Sequence, residues 1–165
     1  MADILNVVDI HVPAATVYPL VATGDGIARW WSPDVVSEGD QVIIRFGTDW
    51  RVILQKLEDS PTRIRWQVVQ HDSTEWPGTE LIFRLSEPDG WATLEFDHAG
   101  WAEATSFFRF CSTKWATFLL SIKQAAETGL AARIQMRSRS VGMANNGAKH
   151  ATWHALENLQ VDLLF

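Results

Sequence analysis

The alternation of hydrophobic and polar residues in the first part of the chain predicts one strand followed by two short helices. Apolar and polar residues alternate loosely over residues 4–12, and Pro13 ends this strand. Apolar positions then fall at helical spacing over residues 14–21. After a glycine-containing break, residues 27–31 form a second short helix, which ends before Pro33.

The middle of the chain has the two-residue period of strands, with turn residues at regular intervals. Ile64, Trp66 and Val68, for example, alternate with polar residues. One apolar and one polar face on each strand is typical of an antiparallel sheet that is covered on one side. The predicted strands cover residues 41–46, 50–57, 63–70, 80–85 and 92–98.

A long amphipathic helix is predicted after the last strand. It begins with Ser112 as its N-cap, carries apolar residues at steps of three and four, and ends at Gly129. The complete order of elements predicts an α+β helix-grip fold. In this fold a curved antiparallel six-stranded sheet wraps around the long C-terminal helix, with two short helices after strand one.

Composition and charge narrow the class of protein. The 165 residues are 47% hydrophobic and carry a formal net charge of −6, which fits one soluble globular domain and disfavours nucleic-acid binding. Cys111 is the only cysteine, so no intrachain disulfide forms and a reducing cytoplasm is expected. The first residues lack the pattern of a signal peptide, and no apolar run is long enough to insert into a membrane.

The chain contains nine Trp and eight Phe but only one Tyr, more indole than a small core requires. Trp30 or its neighbour Trp31 is expected at one apolar site together with Trp66, Trp101 and Trp115. Aromatic walls suit a flat or apolar ligand, although Trp66 and Trp115 could equally fill the core. Adjacent residues on a short helix are not expected to point inward together, so one of the first pair is predicted at an entrance or a partner surface. The outlying tryptophans are expected at strand ends, in turns and in the tail: Trp50, Trp76, Trp91 and Trp153.

His98 is the one weak candidate for acid–base chemistry. It shares the inward parity of Phe96, and an imidazole in an apolar site can act as a base or orient a carbonyl group. The alternative is a strand-end histidine bonded to a backbone carbonyl. Asp97 points to the other face, so no triad is predicted, while the polar side chains of Asn6, Arg109 and Lys114 could lie nearby.

Metal and cofactor chemistry is not predicted. His150 and His154 are spaced to share one helix face, but no third ligand follows them. Cys111 is expected as a packed core thiol, and no phosphate-binding glycine loop follows any strand.

Four local patterns resemble the START-like polyketide cyclase (SRPBCC) superfamily. Within it, they are similar to bacterial proteins akin to the C-terminal domain of the activator of the heat-shock-protein ATPase. The patterns are VPA at residues 12–14, ARWW at 28–31, GTELIF at 78–83 leading to FDHAGW at 96–101, and CSTKW at 111–115. The resemblance spans residues 3–130.

The resemblance implies a cavity between the sheet and the C-terminal helix that binds lipids, polyketides or other hydrophobic small molecules, with catalysis in some branches only. We therefore expect binding of such a molecule without catalysis and without a cofactor. One alternative is a cyclase, aromatase or hydrolase using the same cavity and His98. Another is a chaperone-associated interaction module that docks through Trp30, Trp31 and the C-terminal helix. The expected ligand-binding residues are Trp30, Trp31, Trp66, Phe83, Phe96, His98, Trp101, Phe108, Cys111, Trp115 and Phe118.

The last part of the chain differs in composition from the predicted helix-grip domain over residues 1–130. Residues 131–165 are expected to form an extension, with a basic linker over 133–149 followed by a short helix. An apolar stripe that includes Trp153 and Leu156 on this helix needs a surface to pack against. That surface could belong to the domain itself, to another protein or to a second copy, which would make a homodimer.

Overall fold

A computed structural model describes residues 1–48 and 50–133 of the chain. In this part, a curved antiparallel sheet of seven strands packs against one long helix. The strands are β1 Ala2–Ile10, β2 Asp34–Glu38, β3 Gln41–Phe46, β4 Trp50–Ser60, β5 Arg63–His71, β6 Glu80–Ser86 and β7 Ala92–Trp101. The helices are α1 Ala14–Ala22, α2 Gly24–Ile27 and α3 Ser106–Thr128. This is the predicted α+β helix-grip architecture.

The order of strands in the sheet is β1-β7-β6-β5-β4-β3-β2. Strands β2 to β7 form successive hairpins, and β1 pairs with the last strand, with Ile4 opposite His98. Because α3 follows β7 directly, it crosses back over β1 and α1. This arrangement places the covered face of β7 beneath the first half of α3.

The prediction of six strands is wrong by one, because β2 was missed. This strand pairs with β3, with Val35 opposite Ile44, and forms an edge of the sheet. Its residues are mostly exposed, so they carry no alternation of apolar and polar positions that a sequence pattern could detect.

Two further corrections concern helix bounds. Helix α2 spans Gly24–Ile27 and not residues 27–31, so Trp30 and Trp31 lie in the turns after it. Helix α3 begins well before Ser112, because Thr105 caps it by accepting a hydrogen bond from the backbone N–H of Phe108 at 3.1 Å.

The core lies between the covered face of the sheet and the apolar stripe of α3. The stripe includes Trp115, Phe118 and Ile122, all buried as predicted. Helices α1 and α2 close one side of this layer and meet at Gly26, where a Cβ atom would lie 1.9 Å from the carbonyl oxygen of Pro19. Glycine at this position therefore permits the close approach of the two helices.

After α3 the described chain returns to the segment that follows α2. The backbone N–H of Ala132 donates to the carbonyl of Arg29 at 2.8 Å, and the Arg133 side chain donates to the carbonyl of Ala28. The predicted basic linker, the final helix and the His150/His154 pair lie outside the described residues. The domain division at residue 130 therefore stays a prediction.

Candidate functional site

Six aromatic rings surround Trp76 at one end of the layer between the sheet and α3. We call Trp76 and these rings the Trp76 cluster. The centroid of the Trp76 ring lies 4.3 Å from that of His71, 4.8 Å from that of His98 and 6.0 Å from that of Trp115. The other three rings, at 6.3 to 6.5 Å, are Trp101, Trp31 and Phe107.

The prediction that Trp76 is one of the outlying tryptophans is wrong. Its side chain is 7% exposed although it lies in the connection between β5 and β6. This connection folds back on the sheet, because Gly78 donates its backbone N–H to the carbonyl of Val68 at 2.8 Å. Loop residues have no periodicity, so no pattern could indicate that this ring points inward.

His98 is buried, and both of its ring nitrogens are hydrogen-bonded. The indole N–H of Trp115 donates to Nδ1 at 2.9 Å, and Nε2 lies 2.8 Å from Oγ1 of Thr79. Thr79 in turn donates its hydroxyl proton to the carbonyl of Trp76 at 2.6 Å. Because Nδ1 accepts a proton, we assign the proton of the neutral ring to Nε2, which donates it to Thr79.

This network fixes the neutral form of His98. Burial, reinforced by the neighbouring His71, lowers the pKa of His98 to about 3. With both nitrogens engaged, His98 has no lone pair available to a bound molecule in this arrangement. Its partners are side chains and not the backbone carbonyl considered as the alternative. Thr79 is buried and links His98 to the carbonyl of Trp76. It is a site residue that the sequence does not predict.

Three buried side-chain nitrogens in the described part of the chain have no hydrogen-bond partner. They are Nε1 of Trp76, Nε1 of Trp101 and Nδ2 of Asn6. Trp76 and Trp101 are neighbours in the cluster, with ring planes at 78°. Buried polar groups are nearly always paired, so each unpaired N–H requires an explanation.

The tryptophans at the other end of the layer use their N–H groups to hold α1. Trp30 donates to the carbonyl of Leu20 at 2.8 Å, and Trp66 donates to the carbonyl of Val21 at 2.9 Å. These carbonyls belong to the last turn of the helix, where no intrahelical donor remains for them. Trp30 and Trp66 therefore have a structural role.

The expectation that Trp30 and Trp31 do not both point inward is wrong. They are 0% and 4% exposed, and their rings stack at 5.4 Å. Both fit because the chain leaves α2 before them, so Trp30 reaches α1 while Trp31 packs at 5.1 Å from Trp115. Neither side chain offers a docking surface for another protein.

The remaining predicted site residues lie beside the cluster. Phe96 packs 4.4 Å from Trp115 and 5.0 Å from Phe83, and Phe118 lies 5.7 Å from Trp115. Phe96 and Phe118 thus pack directly against Trp115. Phe108 is half-buried and meets the Trp101 ring edge-on at 5.2 Å.

Cys111 is a buried thiol on α3, as predicted. Burial raises its pKa to about 12, and the adjacent Trp76 indole and Lys114 ammonium partly oppose this effect. The N–H of Trp76 is thus directed towards the thiol, a weak acceptor, without forming a hydrogen bond of normal geometry. A thiol with so high a pKa is not a nucleophile at neutral pH.

His71 joins the cluster because of a bulge that the sequence pattern did not reveal. Ile53 pairs with Gln70 and Leu54 pairs with Val68, so Val69 is an extra residue in β5. The bulge reverses the parity of the strand and turns His71, instead of Gln70, towards the covered face. The His71 ring is half-buried, accepts a hydrogen bond at Nδ1 from the backbone N–H of Ser73, and has its pKa lowered by burial to about 4.

A surface depression of about 450 Å³ lies on the other face of the sheet. Its lining includes the ion pair between Arg84 and Glu95, at 3.0 Å. The depression is separate from the Trp76 cluster and has none of its aromatic rings.

The described residues include no group of three or more His, Cys, Asp or Glu side chains arranged to hold a metal ion. In the same part of the chain, the helices are too short or too polar to cross a membrane.

No family model and no curated protein matches the chain. Several solved structures, in contrast, are similar to it. The solution structure of the Aha1 dimer from Colwellia psychrerythraea has 32% identical residues and a TM-score of 0.67, and the match covers 78% of this chain and 98% of that one.

Two more distant structures share the fold. A Bacillus halodurans protein is 16% identical with a TM-score of 0.61, over 77% of this chain and 98% of its own. DynU16, a putative protein in the dynemicin biosynthetic locus, is 18% identical with a TM-score of 0.62, over 79% of this chain and 49% of its own.

The identity to Aha1 over nearly its whole length agrees with the four local sequence patterns and with the helix-grip topology. The chain belongs to the START-like polyketide cyclase superfamily, in its group of bacterial proteins that resemble the activator of the heat-shock-protein ATPase.

Proposed function

We propose that the chain binds a hydrophobic or aromatic small molecule, lipid-like or polyketide-like, at the Trp76 cluster and does not catalyse a reaction on it. The observation that carries the proposal is the pair of unpaired indole N–H groups on Trp76 and Trp101 inside a buried aromatic cluster. A buried donor without a partner costs about 1–3 kcal/mol. A bound molecule that accepts these protons would remove that cost.

The ligand reaches the cluster at Phe108. The rings of the cluster pack against one another, so we expect that a ring moves when a ligand binds. The Phe108 side chain is half-buried and covers one side of Trp101, whereas Trp101 itself is 1% exposed. Rotation of this one side chain opens Trp101 to solvent without disturbing the His98 network.

Binding without catalysis is favoured over a cyclase, aromatase or hydrolase activity by the hydrogen bonds of His98. Trp115 and Thr79 occupy both of its nitrogens, and its neutral form is strongly preferred. A general base needs a free lone pair within reach of the proton it removes.

The proposal is tested by titrating the full chain with naphthalene derivatives, fatty acids and polyketide-like aromatics while tryptophan fluorescence is recorded. We expect a saturable change, and a loss of affinity of about tenfold or more in Trp101→Leu. The matched control Trp91→Leu removes an indole that is 52% exposed and should bind as the native chain does. The absence of a saturable change with every compound contradicts the proposal.

We also propose that the chain forms a homodimer through its C-terminal helix. Its single cysteine, which cannot form an intrachain disulfide, favours a location in the cytoplasm. The support is that the Colwellia psychrerythraea relative is described as a dimer. Sedimentation equilibrium should give twice the mass of one chain, and Leu156→Asp, on the predicted apolar stripe, should halve it. Asn158→Asp, off that stripe, should leave the dimer intact. A native chain that sediments as a monomer contradicts this proposal.

A further inference from the structure

The unpaired groups of the Trp76 cluster are both hydrogen-bond donors. They are Nε1 of Trp76 and Nε1 of Trp101, and no buried side-chain oxygen in residues 1–48 and 50–133 lacks a partner. An indole has no hydrogen-bond acceptor among its polar atoms, so the two groups cannot satisfy each other. A molecule that complements the site must therefore supply acceptor atoms.

One acidic and one basic side chain lie close to the site. Glu75 and Lys114 act in opposite directions on the pKa of the Cys111 thiol. Lys114 is half-buried with its ammonium 5.3 Å from the Phe110 ring, and Glu75 accepts a hydrogen bond from Thr105 at 2.6 Å. The two histidines of the cluster accept hydrogen bonds at Nδ1 and are neutral.

Glu75 would repel a carboxylate bound here and would oppose its attraction to Lys114. Burying an unpaired carboxylate is far more costly than burying a carbonyl group that accepts two hydrogen bonds. The geometry therefore favours an uncharged acceptor over an acid.

We infer that the ligand is a neutral aromatic carbonyl compound, such as an aryl ketone, quinone or lactone, whose carbonyl oxygen accepts hydrogen bonds from the indole N–H groups of Trp76 and Trp101. This inference rests on the proposed function and narrows its ligand class. The two indole rings are adjacent, with centroids 6.3 Å apart, and one carbonyl oxygen has two lone pairs for the two donors. A carbonyl oxygen is a stronger acceptor than the Cys111 thiol, towards which the Trp76 N–H points, so the N–H would turn from the thiol to the ligand. The aromatic body of the ligand packs on Trp101 and Phe107 in place of the displaced Phe108 ring.

Three probes of similar shape separate the possibilities: acetonaphthone, a neutral ketone; naphthoate, its carboxylate counterpart; and ethylnaphthalene, which has no acceptor. Affinities are measured at neutral pH with the full chain. We expect acetonaphthone to bind about tenfold more tightly than either of the other two probes. This ratio corresponds to the contribution of roughly one to two hydrogen bonds.

The site of the carbonyl is located by the indole N–H signals in two-dimensional NMR spectra. On addition of acetonaphthone, the two signals lost in Trp76→Phe and in Trp101→Phe should move downfield, as hydrogen-bonded protons do. Each of these variants should reduce the preference for acetonaphthone over ethylnaphthalene to about threefold or less. Trp91→Phe serves as the matched control and should keep the full preference.

Naphthoate or ethylnaphthalene binding as tightly as acetonaphthone would overturn the inference while leaving the proposed function intact. So would an unchanged preference in both Trp76→Phe and Trp101→Phe. If none of the probes binds, and no other aromatic or lipid compound does, the proposed function itself fails and the inference falls with it.

Discussion

Replacing Thr79 with valine tests whether the His98 network holds the Trp76 cluster together. Valine has nearly the same shape as threonine, so Thr79→Val removes a hydroxyl group without creating a cavity. The hydroxyl accepts from Nε2 of His98 at 2.8 Å and donates to the carbonyl of Trp76 at 2.6 Å. Both bonds are buried.

The expected loss of stability follows from what the change leaves unpaired. The N–H of His98 would face a methyl group, at a cost of about 1–3 kcal/mol. The opposite tautomer offers no escape, because its Nδ1–H would face the N–H of Trp115. The carbonyl of Trp76 loses the hydroxyl bond but keeps the bond from the backbone N–H of Thr79. The loss of the hydroxyl bond therefore adds only about 0.5 kcal/mol. We expect the free energy of unfolding to fall by about 2–3 kcal/mol.

The assay is urea unfolding followed by tryptophan fluorescence, with the m-value as a check that the same surface is exposed. Thr93→Val is the matched control, since it deletes the same atoms from an exposed bond to Asp9 and should cost about 0.5 kcal/mol or less. The reasoning is refuted if the two variants lose equal stability. It is also refuted if nitrogen chemical shifts of labelled histidine place the His98 proton on Nδ1 in the native chain.

Three further predictions concern pH, access and the structural tryptophans. The pKa values of His98 and His71 in the folded chain are about 3 and about 4, below the ordinary 6.5. The folded chain is therefore most stable above about pH 6.5. As the pH falls towards 4, the unfolded chain binds protons that the folded chain does not, and the free energy of unfolding decreases. His98 alone should lower the free energy of unfolding by about 1.4 kcal/mol per pH unit in this window. His71→Gln should reduce the total dependence of that free energy on pH, measured by urea unfolding. An unchanged dependence counts against a neutral, buried His71. Phe108→Ala should speed ligand association several-fold in stopped-flow fluorescence, whereas Phe110→Ala should not; equal rates would place the opening elsewhere. Trp66→Phe should lower the free energy of unfolding by about 2–3 kcal/mol, by loss of packing and of the bond to α1, yet leave ligand affinity within about twofold; a large loss of affinity would assign Trp66 to the binding site.

Strands that are covered on one face could be predicted from the sequence closely. The predicted strand over residues 41–46 has the same bounds as β3, because Val42 and Ile44 are buried and their neighbours are not. Edge strand β2 was missed for the converse reason, since exposure on both faces removes the period. The start of α3 was placed too late because Phe107, Phe108 and Phe110 together hide the helical period, whereas the Thr105 cap defines it in the structure.

The candidate site could be predicted only in part. His98 and Trp115 were identified because they follow strand and helix periods. The sequence could not indicate Trp76, which lies in a loop, or His71, which faces inward because of the bulge at Val69. Nor could it separate tryptophans whose N–H groups are paired from those whose N–H groups are not, because that distinction depends on three-dimensional contacts.

The location of a bound ligand is the most direct test of the central claim. Crystals of the full chain grown with a bromine-substituted acetonaphthone would reveal the ligand by the anomalous signal of bromine. The account predicts a bromine peak within about 6 Å of the Trp101 ring, with the ketone oxygen at hydrogen-bond distance from Nε1 of Trp76 and of Trp101. A bromine peak on the outer face of the sheet, beside Arg84, or a ketone oxygen that contacts neither indole, would contradict it.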